Sequence, residues 1–229
     1  EPRRAIPIKL LSEMLERIDV NCFWEVQLAV CVLILLFTYC RSETSVPPPL
    51  STFDPNKNLM CEDVMPGSAG DPIGLSRAPG PYLAVQLKGV KQDLRLERPD
   101  AKQGGDWKVI GAASLEIFNV LYWLRHFYRL VSERYPGGRD PKSPFFLHRD
   151  MVQCYTYSAL TSDLQAKLAQ CPSFDGRSYG PHGLRVEGFN NSKRSGRLPE
   201  DLQVVQGGWQ KGSDKRYNRY YAKDILAIP

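Results

Sequence analysis

The spacing of apolar positions changes several times along the chain, and each change predicts an element. The densest run is Phe23 to Tyr39 (FWEVQLAVCVLILLFTY), which is apolar without a break from Leu28 to Phe37. A membrane span needs about 20 predominantly apolar residues. The unbroken run is shorter, and Glu25 and Gln27 stand just before it. The segment therefore predicts a helix buried in a globular core. It ends in Thr38-Tyr39-Cys40-Arg41-Ser42-Glu43, which puts a charged pair at the end of a buried element. That placement is costly unless the charges have partners or a task.

Residues 45–81 are rich in Pro, from Pro47-Pro48-Pro49 to Pro79 and Pro81, and predict a loop insertion. Tyr82 to Val90 alternates as a strand does, Lys91-Gln92-Asp93 reads as a polar turn, and Leu94-Arg95-Leu96 alternates again before Pro99. This predicts a hairpin, with Trp107 to Ile110 as a third short strand. From Ala113 to Val131 apolar residues recur at threes and fours, which predicts a helix. Phe145-Phe146-Leu147 reads as a short buried segment, and Thr156 to Ala169 as a second long helix with Ser162 and Asp163 on its polar side. From Gly180 onward the pattern predicts short polar helices broken by Gly188, Gly196, Gly207-Gly208 and Gly212. The fold class is mainly α with a small antiparallel β-sheet, in one domain over residues 1–229.

Composition adds few constraints. The 229 residues are 42% hydrophobic and 24% charged, which excludes a disordered or collagen-like chain. The net charge is +5, and its location matters more than its size. Nine Lys/Arg and four Asp/Glu lie between His182 and Lys223, and the rest of the chain is balanced at 21 of each. A local basic excess favours an anionic partner such as nucleic acid. The six cysteines (22, 31, 40, 61, 154 and 171) form no CxxC. They read as buried thiols in a reducing, intracellular compartment. Three His with no HExxH and no pair at ligand spacing make a metal site unexpected. The chain starts at Glu1 and reads as a fragment or an excised domain.

The chemistry lies in the order of a few residues. Arg41 ends the buried helix, and Lys91 lies in the hairpin turn. His182 and Arg185 form an HxxR that shares one helix face. Trp209 follows Gly207-Gly208, and Tyr217 stands eight residues later, before Tyr220 and Tyr221. With LLFTYCRSE, LKGVKQDLRLERP, HGLR and GGWQKGSDKRY in this order, the sequence resembles the catalytic domain of the tyrosine recombinases. These are phage-integrase-type DNA strand transferases, and the versions in eukaryotic mobile elements look most similar. The resemblance covers nearly the whole chain.

The resemblance implies a role for each residue, and phosphate chemistry makes each role reasonable. Negative charge builds on the phosphate oxygens in the transition state and needs fixed positive charge beside it. Arg41 and Arg185 would clamp the phosphate, since guanidinium is always charged and donates in pairs. His182 would donate or exchange a proton there. Trp209 would donate its indole N–H and pack the site. Lys91 would be the general acid for the leaving 5′-oxygen, and Tyr217 the nucleophile forming a 3′-phosphotyrosyl link.

Lys88 competes with Lys91, and Tyr220 or Tyr221 with Tyr217. Glu43 stands two residues after Arg41, where the family places its acid three on. VEGFNNSKRSGR differs from the continuation seen in bacterial members. Lys88, Lys193, Arg194, Arg197, Lys211 and Lys215 are expected to contact DNA phosphates. No cofactor or metal is implied. The expected partners are double-stranded DNA and further copies of the chain in a tetramer, with no membrane. The family's N-terminal DNA-clamping domain is not expected in this sequence, and the location would be nuclear in a eukaryote and cytoplasmic otherwise. The rival readings are a non-catalytic DNA-binding remnant, a type IB topoisomerase-like enzyme, and a protein anchored in a membrane through residues 23–40.

Overall fold

The computed structural model describes residues 4–48, 51–67, 81–88 and 106–196. In chain order these form α1 (Ile8–Glu16), α2 (Phe23–Thr38), α3 (Ser42–Ser45), β1 (Val64–Gly67), β2 (Tyr82–Leu87), β3 (Asp106–Gly111), α4 (Val120–Arg134), α5 (Tyr157–Leu168) and α6 (His182–Ser195). Single 3-10 turns occur at Cys61–Asp63 and Glu116–Phe118.

The predicted buried helix is the axis of the fold. α2 packs against α4, α5, α6 and β3, and every residue from Leu28 to Leu36 is at most 2% exposed. A helix that is apolar on all faces is stable only when surrounded. The polar residues near its start are matched. Gln27 Nε2 donates to the Leu147 carbonyl at 2.8 Å, and Gln27 Oε1 accepts from the Leu147 N–H at 2.8 Å. Glu25 pairs with Lys167 at 2.7 Å and accepts the Asp19 N–H at 2.8 Å. Among the described residues no helix is long and apolar enough to cross a membrane.

α4 lays Trp123, Leu124, Phe127 and Leu130 into the core. Phe127 stacks on Phe23 of α2 at 5.5 Å and meets Phe145 at 5.2 Å. This helix is shifted from its predicted span. Asn119 is extended and its side chain accepts the Leu121 N–H, so the α-helix begins at Val120 and runs on to Arg134. α5 matches its prediction to within a residue. Thr156 caps it by accepting the Ala159 N–H, and Asp163 on its polar side accepts from the Tyr155 hydroxyl at 2.7 Å. Phe145, Phe146 and Leu147 are buried as expected.

The sheet has the order β1-β2-β3 with both pairings antiparallel. Val64 faces Val85 in one pairing, and Tyr82 faces Gly111 in the other. One of the two strands that pair with β2 is thus the predicted third strand. The 94–96 arm lies outside the described residues. β2 is the middle strand and is buried along nearly its whole length. The prediction of a continuous loop over 45–81 is corrected: Ser45 is the last residue of α3, and a 3-10 turn and β1 lie within the range. Pro66 obscured β1, but β1 is an edge strand, where a missing N–H is tolerated.

Candidate active site

The candidate site is built where α2 ends against α6. α2 ends at Thr38, and the next residue leaves the helical conformation. Thr38 Oγ1 donates back to the Ile34 carbonyl at 2.7 Å, and Tyr39 takes the left-handed conformation, φ 50 and ψ 22. That conformation costs a non-glycine residue about 1–2 kcal/mol. Packing on α6 holds it. The Tyr39 ring meets Phe189 edge-on at 6.4 Å, and its hydroxyl is hydrogen-bonded to Ser192. Burial pushes the Tyr39 phenol above its ordinary value near 10, and the Ser192 bond opposes this.

This turn delivers Arg41, extended, just before α3. Its carbonyl accepts from the Thr44 hydroxyl at 2.6 Å and the Thr44 N–H at 3.0 Å. Arg41 and Glu43 are both exposed. The desolvation cost expected for a charged pair at the end of a buried helix therefore does not arise.

α6 carries His182 and Arg185 in its first turn. It is one helix from His182 to Ser195, so the predicted break at Gly188 is corrected. Gly188 is a point of contact. A Cβ there would lie 1.9 Å from the Leu36 carbonyl oxygen and 2.9 Å from the Tyr39 ring. Gly196 does end the helix, with φ 61. Gly183 plays a similar part at the start of α6, where a Cβ would lie 2.4 Å from the Arg4 carbonyl oxygen. Arg185 is 6% exposed, and Glu187, Asn190 and Ser192 are also buried. His182 is half-buried.

The crossing brings together residues far apart in sequence. Leu36 and Tyr39 at the end of α2 meet Gly188 of α6; Arg41 stands two residues after Tyr39 and is exposed, and Arg185 stands three before Gly188 and is buried. At the far end of α6, Arg194 pairs with Glu187, and Lys193 lies 5.1 Å from the centre of the Phe189 ring. Both expected phosphate contacts therefore also have contacts within the chain.

Lys88 follows the end of β2. Its Nζ lies 2.7 Å from Asp63 Oδ2 and donates to the Pro55 carbonyl at 3.3 Å. Asp63 is fully buried and also accepts the Met60 N–H at 2.8 Å. Burial raises its carboxyl, while Lys88 and the Met60 N–H pull it back down. Lys91, Arg197, Trp209, Lys211, Lys215, Tyr217, Tyr220 and Tyr221 lie outside the described residues. Among the described residues no group of three or more His, Cys, Asp or Glu side chains is placed to hold a metal ion. The described cysteines are free thiols. Cys31, Cys40, Cys154 and Cys171 are buried, and Cys22 and Cys61 are partly exposed.

Sequence reasoning missed Tyr39, Asn58, Asp63 and Gly188. A glycine inside an otherwise helical stretch can mark a close approach as well as a break, which was the one available signal for Gly188. Nothing in the local sequence marks a left-handed tyrosine.

No protein-family model and no curated protein matches the chain. Solved structures do. The chain is similar to the XerH site-specific recombinase bound to difH substrate in a pre-cleavage complex, with a TM-score of 0.59 and 14% identity, over 99% of this chain and 53% of that one. It is also similar to XerH bound to palindromic difH substrate in a post-cleavage complex, again with a TM-score of 0.59 and 14% identity, over 100% of this chain and 54% of that one. The chain thus spans about half the length of the structures it matches. At this identity the likeness is one of fold. The mainly helical arrangement around a three-stranded antiparallel sheet is tyrosine recombinase catalytic-domain-like.

Proposed function

We propose that the protein is a tyrosine-type DNA strand transferase, cutting and rejoining DNA in recombination or integration as the enzymes of mobile elements do. The observation that carries this reading is the α2–α6 crossing. It packs Leu36 and Tyr39, the latter two residues before Arg41 in sequence, against Gly188 of the helix that begins His182-Gly183-Leu184-Arg185, in a fold similar to that of site-specific recombinases.

The chemistry is a transesterification. The Tyr217 phenol oxygen bonds to phosphorus as the bond from phosphorus to the 5′-oxygen breaks. The phenol proton passes to His182, and Lys91 gives a proton to the departing oxygen. Arg41 and Arg185 hold the non-bridging oxygens, and Trp209 adds a further donor. Religation runs these steps in reverse with a new 5′-hydroxyl. Lys88 is held by Asp63 and Pro55, which favours Lys91 as the acid. Double-stranded DNA is the substrate, and copies of the chain assemble on it as a tetramer.

The test is covalent trapping on a nicked duplex whose cleaved fragment diffuses away. The wild-type protein is expected to form a protein–DNA adduct in EDTA, and Tyr217→Phe to form none while binding DNA within about threefold of wild type. Adducts that persist in Tyr217→Phe exclude Tyr217 as nucleophile. Wild-type protein that binds DNA and forms no adduct is the non-catalytic remnant.

A further inference from the structure

The segment between α3 and β1, read from sequence as part of a loop insertion, makes an unbroken polar connection between two parts of the proposed site. We infer that Asn58 and Asp63 are positioning residues that hold the Arg41 segment and the lysine-bearing end of β2 in one fixed relation. This inference rests on the strand-transferase reading and deepens it.

The connection can be followed bond by bond. On the arginine side, Asn58 Nδ2 donates to the Glu43 carbonyl at 3.0 Å, two residues past Arg41 and within the turn that Thr44 closes on the Arg41 carbonyl. Asn58 Oδ1 accepts the Asp54 N–H at 2.9 Å, and the Asn58 N–H donates to the Asp54 carbonyl at 2.8 Å. Asp54 in turn accepts the Asn56 N–H at 2.9 Å. Residues 54–58 are therefore a closed turn. On the lysine side, the Pro55 carbonyl of that turn accepts from Lys88 at 3.3 Å, and Lys88 is fixed from its other side by Asp63 at 2.7 Å. Asn58 is 3% exposed and Asp63 is 0% exposed. Phe145 anchors the turn to the core, its N–H donating to the Leu59 carbonyl at 2.9 Å.

The choice of groups points to geometry as the purpose. A buried carboxylate and ammonium add little stability over an apolar pair of equal volume, because desolvation cancels most of their attraction. What such a pair does supply is direction. Lys88 is the first residue after β2, and Lys91 stands three residues further on. An extended chain covers at most about 11 Å over that step. Fixing Lys88 therefore fixes the base of the segment that carries the proposed acid. Asn58 likewise fixes the turn that carries the proposed clamp.

The two ends should fail differently, and the leaving group tells them apart. An oxygen leaving group needs a proton from the general acid. A sulfur in the bridging 5′ position does not, because a thiolate is a far weaker base than an alkoxide. Phosphate clamping is needed with either. The experiment measures single-turnover cleavage of matched oxygen and sulfur suicide duplexes by the full chain, with Lys91→Ala as the reference for loss of the acid.

Asp63→Asn is expected to slow the oxygen substrate by about 10- to 100-fold and the sulfur substrate by less than about threefold. Asn58→Ala is expected to slow both about tenfold, as displacement of a charge-stabilising donor does. If Asp63→Asn does not fold by circular dichroism, the paired Asp63→Leu/Lys88→Met protein, which leaves no buried charge, must show the same split. Equal loss on both substrates, or no loss, in the folded Asp63 variant overturns the inference, as does an Asn58→Ala protein unchanged on both. If the wild-type protein forms no adduct with either substrate, the strand-transferase reading itself fails and the inference fails with it. A working wild type without the split removes the inference alone.

Discussion

α2 and α6 pack on each other through the same core and are opposite in composition. α2 is apolar on every face and is nowhere more than 2% exposed from Leu28 to Leu36. α6 reads HGLRVEGFNNSKRS and is also largely buried, with Arg185, Glu187, Asn190 and Ser192 all out of solvent. Burial of α2 is what the hydrophobic effect does with such a sequence. Burial of α6 runs against that tendency, because Arg and Glu are almost never fully buried unless paired. An element that keeps such residues inside needs each of them placed and partnered. The two helices teach that burial serves packing in one and placement of polar groups in the other. Substitutions in them should therefore be read by different instruments.

The largest expected effect is in chemistry. Arg185→Lys keeps the charge and loses the planar fork that matches a phosphate. Adduct formation should fall by about 10²- to 10³-fold, the range for removing one transition-state donor. DNA binding should stay within about tenfold, because one phosphate contact carries only part of the electrostatic affinity. Single-turnover cleavage and salt-dependent binding measure the two. A variant that loses binding and cleavage together would make α6 a DNA-docking element and erase the functional half of the contrast.

The contrast also explains what could be read in advance. α2, β2, β3 and α5 follow from periodicity because their burial follows from their side chains. α4 was visible and misplaced at its start, because Asn119 caps by its own side chain, a local bond that apolar spacing does not report. β1 was hidden by Pro66, which only its position at the sheet edge permits. α6 was read as broken because a glycine in a polar stretch is most often a turn. Here Gly188 is small so that α2 can approach it. For the candidate site, the expectation of Arg41, His182 and Arg185 rests on a resemblance in their order. Asn58 and Asp63 make their linking bonds to Glu43 and Lys88, which are distant in sequence, and carry no motif.

The next effect concerns stability, and it tests whether the crossing is as tight as the backbone contact implies. Leu33→Ala empties part of the fully buried α2 and should cost about 3 kcal/mol. Gly188→Ala makes the opposite change in the partner helix. Helix propensity alone would make it stabilising by about 1 kcal/mol. The added Cβ, however, would fall 1.9 Å from a backbone oxygen of α2, and overpacking of that kind costs about 1–3 kcal/mol. Urea denaturation should therefore show a net loss for Gly188→Ala, the reverse of the sign that propensity gives. A gain would mean that the helices separate freely and that Tyr39 is not held by α6.

The smallest effect lies at the joint itself. Tyr39 ends α2 in a left-handed conformation, and its hydroxyl bonds to Ser192 of α6. Tyr39→Phe keeps the ring against Phe189 and removes that bond, at a cost of about 1 kcal/mol near neutral pH. The same residue gives a pH signature. Burial raises the folded-state value of the phenol above its unfolded value near 10. The folded state then holds the proton more tightly than the unfolded one. The corresponding stability is fully present below pH 10 and is lost as pH rises through the folded value. Tyr128, Tyr155 and Tyr179 are also shifted upward, so the wild-type slope alone proves nothing. The difference between wild type and Tyr39→Phe isolates Tyr39. Urea unfolding at pH 8 and again above pH 10 should show the two proteins converging as the wild type loses its Tyr39 contribution. If the gap between them stays constant with pH, the Tyr39 phenol is not enclosed between the helices, and α2 and α6 meet through their apolar surfaces alone.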